Sequence, residues 1–314
     1  MTTTGPSTDS RIPVPAPGGT ARLAGRVVAR IGFGAMQLER RDADRNVALA
    51  VLRQAVGAGV NHIDTAQFYG DCNALIRAAL APYPGDLVLA SKVGAEWETG
   101  GLVPAQRPEQ LRAQVEANLA TLGVDQIGVV NLRRVDAAPG IVAEGDQLVD
   151  IDDQLAELAA LRDAGKIGGI GLSHVSAAQL GQALPVGIAC VQNLYSVIDR
   201  TAEPVLDRCR AHGVAWVPFF PLGSAFANRV KVTEDPTVKG IATEIGATPA
   251  QVGLAWQLSH YDGTLLIPGT SDPAHLAENI AAGAVRLPPA SIAALDRLSD
   301  AARSEEALPD RPWR

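Results

Sequence analysis

Polar and aromatic residues close successive apolar runs of this chain. Asp64 follows His62-Ile63, Lys92 is next to last in Leu87–Val93, Arg133 follows Ile127–Leu132, Ser173 follows Ile167–Leu172 and Gln192 ends Ile188–Gln192. Gly34, Phe219 and Pro268-Gly269 close three further runs. A carboxylate, an ammonium, a guanidinium, a hydroxyl, an amide and an aromatic ring gathered at one opening could bind a polar group and move a proton. Singly, each has an ordinary explanation. Asp64 could cap the turn that follows it, and Lys92 could be a surface lysine. The chain has only four lysines, however, and this one closes an apolar strand. The set is more informative than its members.

Gathering them requires parallel strands that end on one side of a sheet. From Ile31 the sequence alternates short aliphatic runs with segments of helical period. The runs are Ile31–Met36, His62–Thr65, Leu87–Val93, Ile127–Leu132, Ile167–Leu172, Ile188–Gln192, Val214–Phe219 and Leu265–Ile267. The helical segments are Asn46–Val56, Cys72–Leu80, Pro108–Leu122, Ile151–Asp163, Ser176–Ala183, Glu203–His212, Pro236–His260, Ala274–Ala282 and Pro289–Leu298. Continuous rather than alternating apolar runs suit a parallel sheet covered by helices. Eight such units predict a single (β/α)8 TIM barrel, whose strand ends carry the active site. An open dinucleotide-binding sheet is the rival, but Gly32-Phe33-Gly34 would need its third glycine at Gln37, and Gly169-Ile170-Gly171 at His174. Residues 20–30, with Gly25 at the centre, predict an N-terminal hairpin plugging the barrel bottom. Long loops at Gly94–Arg107, Arg134–Asp150 and Gly223–Glu234 follow strands and would rise over the C-terminal face.

Composition agrees with this picture and excludes others. The 314 residues are 47% apolar and 19% charged, too hydrophobic for a disordered chain. The 31 glycines and 21 prolines follow no three-residue period. A net charge of −7 argues against a nucleic-acid partner, and no apolar run is long enough to span a membrane. Three cysteines, without a C-x-x-C pair, predict neither a disulfide framework nor a metal site, and fit a cytoplasmic protein. Residues 1–19, rich in Thr, Ser, Pro and Gly, read as a flexible tail, with residues 20–314 as the barrel domain.

The string Asn61-His62-Ile63-Asp64-Thr65-Ala66-Gln67-Phe68-Tyr69-Gly70 resembles the signature of the aldo-keto reductases. The resemblance continues in order over nearly the whole chain, through Gly32-Phe33-Gly34-Ala35-Met36, Ser91-Lys92-Val93, Gly171-Leu172-Ser173-His174 and Val191-Gln192-Asn193-Leu194-Tyr195-Ser196. It ends with Pro221-Leu222-Gly223, Ile267-Pro268-Gly269-Thr270-Ser271 and Glu278-Asn279. Val129-Val130-Asn131-Leu132-Arg133 and Val217-Pro218-Phe219-Phe220-Pro221 are most similar to bacterial pyridoxal reductase-like members.

The resemblance implies hydride transfer between NADPH and a carbonyl carbon, with Tyr69, Lys92, Asp64 and Arg133 as the catalytic set. A free phenol titrates near ~10 and donates sluggishly at neutral pH. A buried ammonium beside it favours the phenolate, which makes Lys92 the tuner of Tyr69 as proton donor. Asp64 would position the lysine. The five-residue step from Asp64 to Tyr69 lets the tyrosine fold back over the acid. Arg133 stands where most active members have histidine. It could hold the carbonyl oxygen, depress the tyrosine pKa, or pair with an anionic substrate group, and a structural ion pair is the plain alternative.

For the cofactor, the resemblance implies that Ser173, His174 and Gln192 hold the carboxamide and that Phe219 stacks on the nicotinamide. Gly223 and Ser224 would follow the pyrophosphate, and Gly34, Ala35 and Met36 belong to the same side. Gly269, Thr270, Ser271 and His275 would meet the adenosine phosphate, with Glu278 and Asn279 on the adenine. Gly269 and His275 replace the common Lys and Arg, so NADPH is favoured over NADH by a reduced margin. Phe33, Phe68, Trp97, Asn131 and Arg134 are the expected substrate lining. His62 reads as a packed barrel residue. The expected function is reduction of a small aldehyde or ketone, such as pyridoxal or a related aromatic carbonyl. The alternatives are a nucleotide-binding regulatory protein with little turnover, or a biosynthetic reductase for a specialised carbonyl, imine or enone.

Overall fold

Local signals set the helix ends. Pro108 opens α3 in the first turn, where its missing N–H costs nothing, and Gly123 ends it with φ +68°. Ser176 caps α5 by accepting from Gln179 N at 3.2 Å, while Gln179 Oε1 accepts from Ser176 N at 2.9 Å. Asp150 caps α4, and Asp152 and Asp153 lie in its first turn, where the helix dipole favours acids. The computed structural model describes residues 14–39, 44–136, 140–223 and 231–298.

Within these residues a hairpin, β1 (Thr20–Leu23) and β2 (Arg26–Ala29), precedes the barrel strands β3 (Phe33–Gly34), β4 (His62–Asp64) and β5 (Val88–Val93). A second hairpin follows, β6 (Ala95–Glu98) and β7 (Gly101–Pro104), and then β8 (Val129–Arg133), β9 (Ile170–Ser173), β10 (Ile188–Gln192) and β11 (Ala215–Trp216). The helices are α1 (Arg45–Gly57), α2 (Cys72–Leu80), α3 (Pro108–Leu122), α4 (Ile151–Asp163) and α5 (Ala177–Ala183). They continue with α6 (Glu203–His212), α7 (Pro236–Ile245), α8 (Pro249–His260), α9 (Pro273–Ala281) and α10 (Pro289–Asp296).

Seven strands form one parallel sheet in the order β11-β10-β9-β8-β5-β4-β3. An eighth segment, residues 264–267, closes it. Thr264 bridges Trp216 on one side and Leu266 bridges Ile31 on the other, both parallel. Leu265 N donates to Trp216 O and Leu266 N to Arg30 O, each at 2.8 Å. The fold is the expected (β/α)8 barrel.

Strand alternation divides the buried side chains into two layers. Val130, Leu132, Ile170, Leu172 and Val191 face the helices in the main core. Val88, Ala90, Val129, Cys190, Ala215 and Leu265 fill the barrel interior, where Leu23 and Val28 of the hairpin plug the bottom as expected. Above this apolar filling the inward residues become polar. Residues 17–19 hold the hairpin to the first strand: Ile31 N donates to Pro17 O at 3.0 Å and Arg30 N to Gly19 O at 2.9 Å.

The Gly94–Arg107 segment, expected as a loop, is mostly the β6–β7 hairpin, paired in register from Ala95–Pro104 to Glu98–Gly101. Short strands with glycines at the turn resemble a loop in composition, which is why the pairing is not evident from sequence. No helix among the described residues is long and apolar enough to cross a membrane, and no group of metal-binding side chains occurs among them.

Candidate active site

The upper end of β4 delivers Asp64 and that of β5 delivers Lys92. The two strands pair in register, and both side chains point into the mouth. Asp64 Oδ1 accepts from the Lys92 ammonium, which also donates to Thr65 O at 3.1 Å. Asp64 Oδ2 accepts from Gln192 Nε2 at 2.6 Å. Asp64 and Lys92 are 3% and 5% exposed, so the ion pair works in a low dielectric. Burial pulls the Lys92 pKa down, but the Asp64 charge and the Tyr69 hydroxyl outweigh it and raise the net value. Lys92 is therefore an ammonium at neutral pH.

Tyr69 returns over this pair as the sequence spacing predicts. Its N–H donates to Ala66 O at 3.1 Å, and Gly70 continues the turn with φ +43°. The half-buried phenol adjoins Lys92, whose Nζ lies 5.0 Å from the ring centroid. Phenol, amine and carboxylate meet. An ammonium against a phenol is an arrangement that can supply a proton to a developing oxyanion.

A buried amide relay behind the site, not evident from sequence, supports these groups. Ser91 Oγ donates to Asn118 Oδ1 at 2.7 Å, Asn73 Nδ2 donates to the same oxygen at 3.0 Å, and Thr65 Oγ1 donates to Asn73 Oδ1 at 2.9 Å. Asn118 thus braces the residues adjoining both Lys92 and Asp64. The one signal for it in the sequence is a polar residue on the apolar stripe of α3.

Arg133 ends β8 at the same opening. Its guanidinium carbon lies 5.5 Å from the Phe68 ring centroid, and Phe68 meets Tyr69 edge to face at 5.2 Å. Burial lowers its pKa and the proximity of Tyr69 opposes this, but an arginine stays cationic. Its carbonyl oxygen accepts from Gln106 Nε2 at 2.8 Å. Trp97 stands at the rim, 58% exposed, donating from Nε1 to Phe68 O at 2.7 Å.

Three residues expected in the substrate lining are elsewhere. Phe33 is fully buried in the core between barrel and helices, because its position on β3 faces outward. Asn131 is fully buried one layer beneath Arg133, where Nδ2 donates to Ser91 O at 3.2 Å and Oδ1 accepts from Cys190 Sγ at 3.3 Å. It fills the space over Gly171, where a Cβ would stand 2.1 Å from Asn131 Oδ1. Arg134 points away from the mouth. It forks onto Asp136 at 2.8 and 2.6 Å and also donates to Val149 O and Gln154 Oε1.

The expected cofactor residues form two groups. Ser173 and Gln192 are register partners on β9 and β10, and His174 follows with φ +59°, its N–H on Gln192 O at 2.9 Å. Burial and then Arg133 lower the His174 pKa against Asp136, so its ring is neutral at neutral pH and can serve as an amide would. Gln192 Oε1 is buried with no hydrogen-bond partner among the described residues, an acceptor suited to the NH2 of a carboxamide. Phe219 presents a half-buried ring held edge-on by Phe220 at 5.4 Å. These residues fit a nicotinamide.

The second group surrounds the start of α9. Thr270 and Asn279 are buried, Ser271 and Glu278 half-buried and His275 exposed. Asp272, not singled out in the sequence, caps this helix by accepting from Ala274 N at 2.7 Å and His275 N at 3.2 Å. Gly34, Ala35 and Met36 lie beside it at the barrel seam, where a Cβ on Gly34 would stand 2.5 Å from Ile267 O and one on Gly269 2.4 Å from Gly34 O. These two glycines are required by each other's backbone. Gly223 has φ +82°, and Ser224 lies outside the described residues.

The aldo/keto reductase family model matches residues 30–300. Pyridoxine 4-dehydrogenase of Escherichia coli (strain K12) is 41% identical over 289 residues, 89% of this chain and 98% of the relative. The NADH-specific methylglyoxal reductase of the same organism is 27% identical over 299 residues, 83% of this chain and 90% of the relative. An aldo/keto reductase from Klebsiella pneumoniae, solved with NADP and acetate, matches with a TM-score of 0.76 at 26% identity, covering 94% of this chain and 98% of that one.

Proposed function

The chain belongs to the aldo/keto reductase family and is an NAD(P)H-dependent oxidoreductase, and on that premise we propose that it reduces a small aldehyde or ketone to the alcohol. Pyridoxal or a related aromatic carbonyl is the proposed substrate. When bound, the reduced dinucleotide supplies the hydride. Tyr69 gives its phenolic proton to the carbonyl oxygen as negative charge develops there. Lys92 stabilises the phenolate left behind, Asp64 fixes Lys92, and Gln192 fixes Asp64 while offering its carbonyl oxygen to the carboxamide. The mouth provides orientation as well as charge, since a positioned donor spares the reaction an ordering cost. What carries this reading is the convergence of Tyr69, Lys92 and Asp64 with the unpartnered Gln192 oxygen.

NADPH is the favoured cofactor, its 2′-phosphate meeting hydroxyl and backbone donors of Thr270 and Ser271. The Asp272 carboxylate narrows the margin over NADH, because like charges at one helix end repel. The test is steady-state oxidation of NADPH and NADH against a panel that includes pyridoxal and substituted benzaldehydes. Turnover of aromatic aldehydes is expected. Dinucleotide binding with no oxidation across the panel would overturn the reading in favour of a regulatory nucleotide-binding protein.

A further inference from the structure

We propose that Arg133 is an anion anchor, and that the preferred substrate carries a negatively charged oxygen two or three bonds from its carbonyl carbon. The inference rests on reading the mouth as a carbonyl site. Arg133 has five N–H donors, yet its guanidinium donates to no described residue, and no described carboxylate pairs with it. The nearby acid is already engaged, since both Asp136 oxygens accept from Arg134 and one also accepts from Gln179 Nε2 at 2.5 Å. Phe68 backs the guanidinium and Gln106 holds the main chain beneath it, so the fork is presented rather than used.

A mostly desolvated cation with no counter-ion among the described residues is costly, and a ligand anion removes that cost. The Tyr69 ring already lies against the Lys92 ammonium, 5.0 Å from Nζ to the ring centroid. A carbonyl oxygen meeting Tyr69 is therefore served without Arg133, and the fork falls to the neighbouring substituent. A planar guanidinium matches a carboxylate through two parallel bonds and can equally grip an ortho phenolate oxygen. A 2-oxo acid and a 2-formylphenolate share this chemistry.

Two substrate pairs test it. 5-Nitrosalicylaldehyde, ionised at neutral pH, is compared with 2-methoxy-5-nitrobenzaldehyde, and phenylglyoxylate with its methyl ester. The charged member is expected to have kcat/KM higher by about tenfold or more in at least one pair, mainly through KM, as a charge-assisted hydrogen bond allows. The pair that responds identifies phenolate or carboxylate. In Arg133→Met that ratio falls to about one, and Arg133→Lys, which keeps the charge without the fork, lies between.

A ratio of one in the unaltered protein overturns the proposal. Equal losses for both members in Arg133→Met also overturn it and put the fork on the carbonyl oxygen. Titration of the dinucleotide-loaded protein with salicylate separates the two readings. If no carbonyl is reduced but salicylate binding depends on Arg133, the anchor stands and the reductase reading fails. If aldehydes are reduced without charge preference and salicylate is ignored, the reverse holds.

Discussion

Gln192 reaches from β10 to the strand opposite it in the barrel and donates to Asp64 at 2.6 Å, leaving its own carbonyl oxygen buried and unpartnered among the described residues. One side chain thereby joins the group proposed for proton transfer to the face proposed for the nicotinamide. Lys92 and Gln192 hold the two Asp64 oxygens from different walls, so the carboxylate cannot swing without breaking a buried charge-assisted bond.

Replacing Tyr69 by Phe removes the proposed proton donor and keeps the ring that packs on Phe68. kcat/KM for aldehyde reduction is expected to fall by about 10²–10⁴-fold. Dinucleotide affinity, followed by fluorescence quenching, should be unaltered. Full turnover in Tyr69→Phe would remove the phenol from the reaction.

Asn118 touches none of the reacting groups, yet one oxygen of it accepts from both Ser91 and Asn73. In Asn118→Leu these buried donors lose their acceptor, at about 1–3 kcal/mol for each unsatisfied group. Calorimetry should show a lower Tm. The pH profile of kcat should also shift, because Asp64 and Lys92 lose the bracing of their neighbours. A lower Tm with an unshifted profile would make Asn118 purely structural.

Asp272 is fully exposed, and bonds from the backbone of His275 and Ala274 lower its pKa, so its charge stands at the start of α9 at neutral pH. Asp272→Ser keeps a capping oxygen and removes the charge. The NADPH-to-NADH affinity ratio is expected to rise by up to about fivefold, the scale of an exposed charge pair. Parallel titrations with both dinucleotides measure it, and an unchanged ratio would place the 2′-phosphate elsewhere.

His62 is buried in the barrel with its ring flat against Gly32, and burial lowers its pKa to about 4 against a weaker opposing influence of the Leu266 backbone. The unfolded chain takes up this proton below about pH 6.5, the folded chain only near 4. Its contribution to stability is thus complete above pH 6.5 and is lost as pH falls from there towards 4, by about 3 kcal/mol in all. Urea unfolding across that interval should show a shallower pH dependence in His62→Gln. An identical slope would mean that the ring is protonated in the fold.

The barrel was legible because its signals are local. Prolines in the first turn and glycines just past the last, as at Pro108 and Gly123, bracket helices whose ends match expectation. The meeting of Asp64 and Lys92 was legible for a related reason, since strand-end positions share one mouth whatever the rest of the chain does. Depth and direction were harder. Asn131 and Arg133 lie on the same face of β8, but only the second rises clear of the filling, while Asn131 occupies the room that Gly171 of the next strand leaves. The pairing of Gly34 with Gly269 joins the two ends of the barrel and has no local signature. Asn118, Gln106 and Gln154 look like unremarkable polar residues until the fold places them beneath the site.

Adjacent in sequence, Arg133 and Arg134 diverge, as the two-residue period of a strand requires. Arg134 grips Gln154, Gln154 donates to Gln106 at 2.6 Å through its carbonyl and 3.0 Å through its amide oxygen, and Gln106 clasps the main chain of Arg133. The pose of the outstretched arginine is therefore written into an inner tier of glutamines that no small molecule meets. Laboratory selections for altered compound preference should accumulate changes at Gln106 and Gln154, and libraries confined to the visible rim would overlook them.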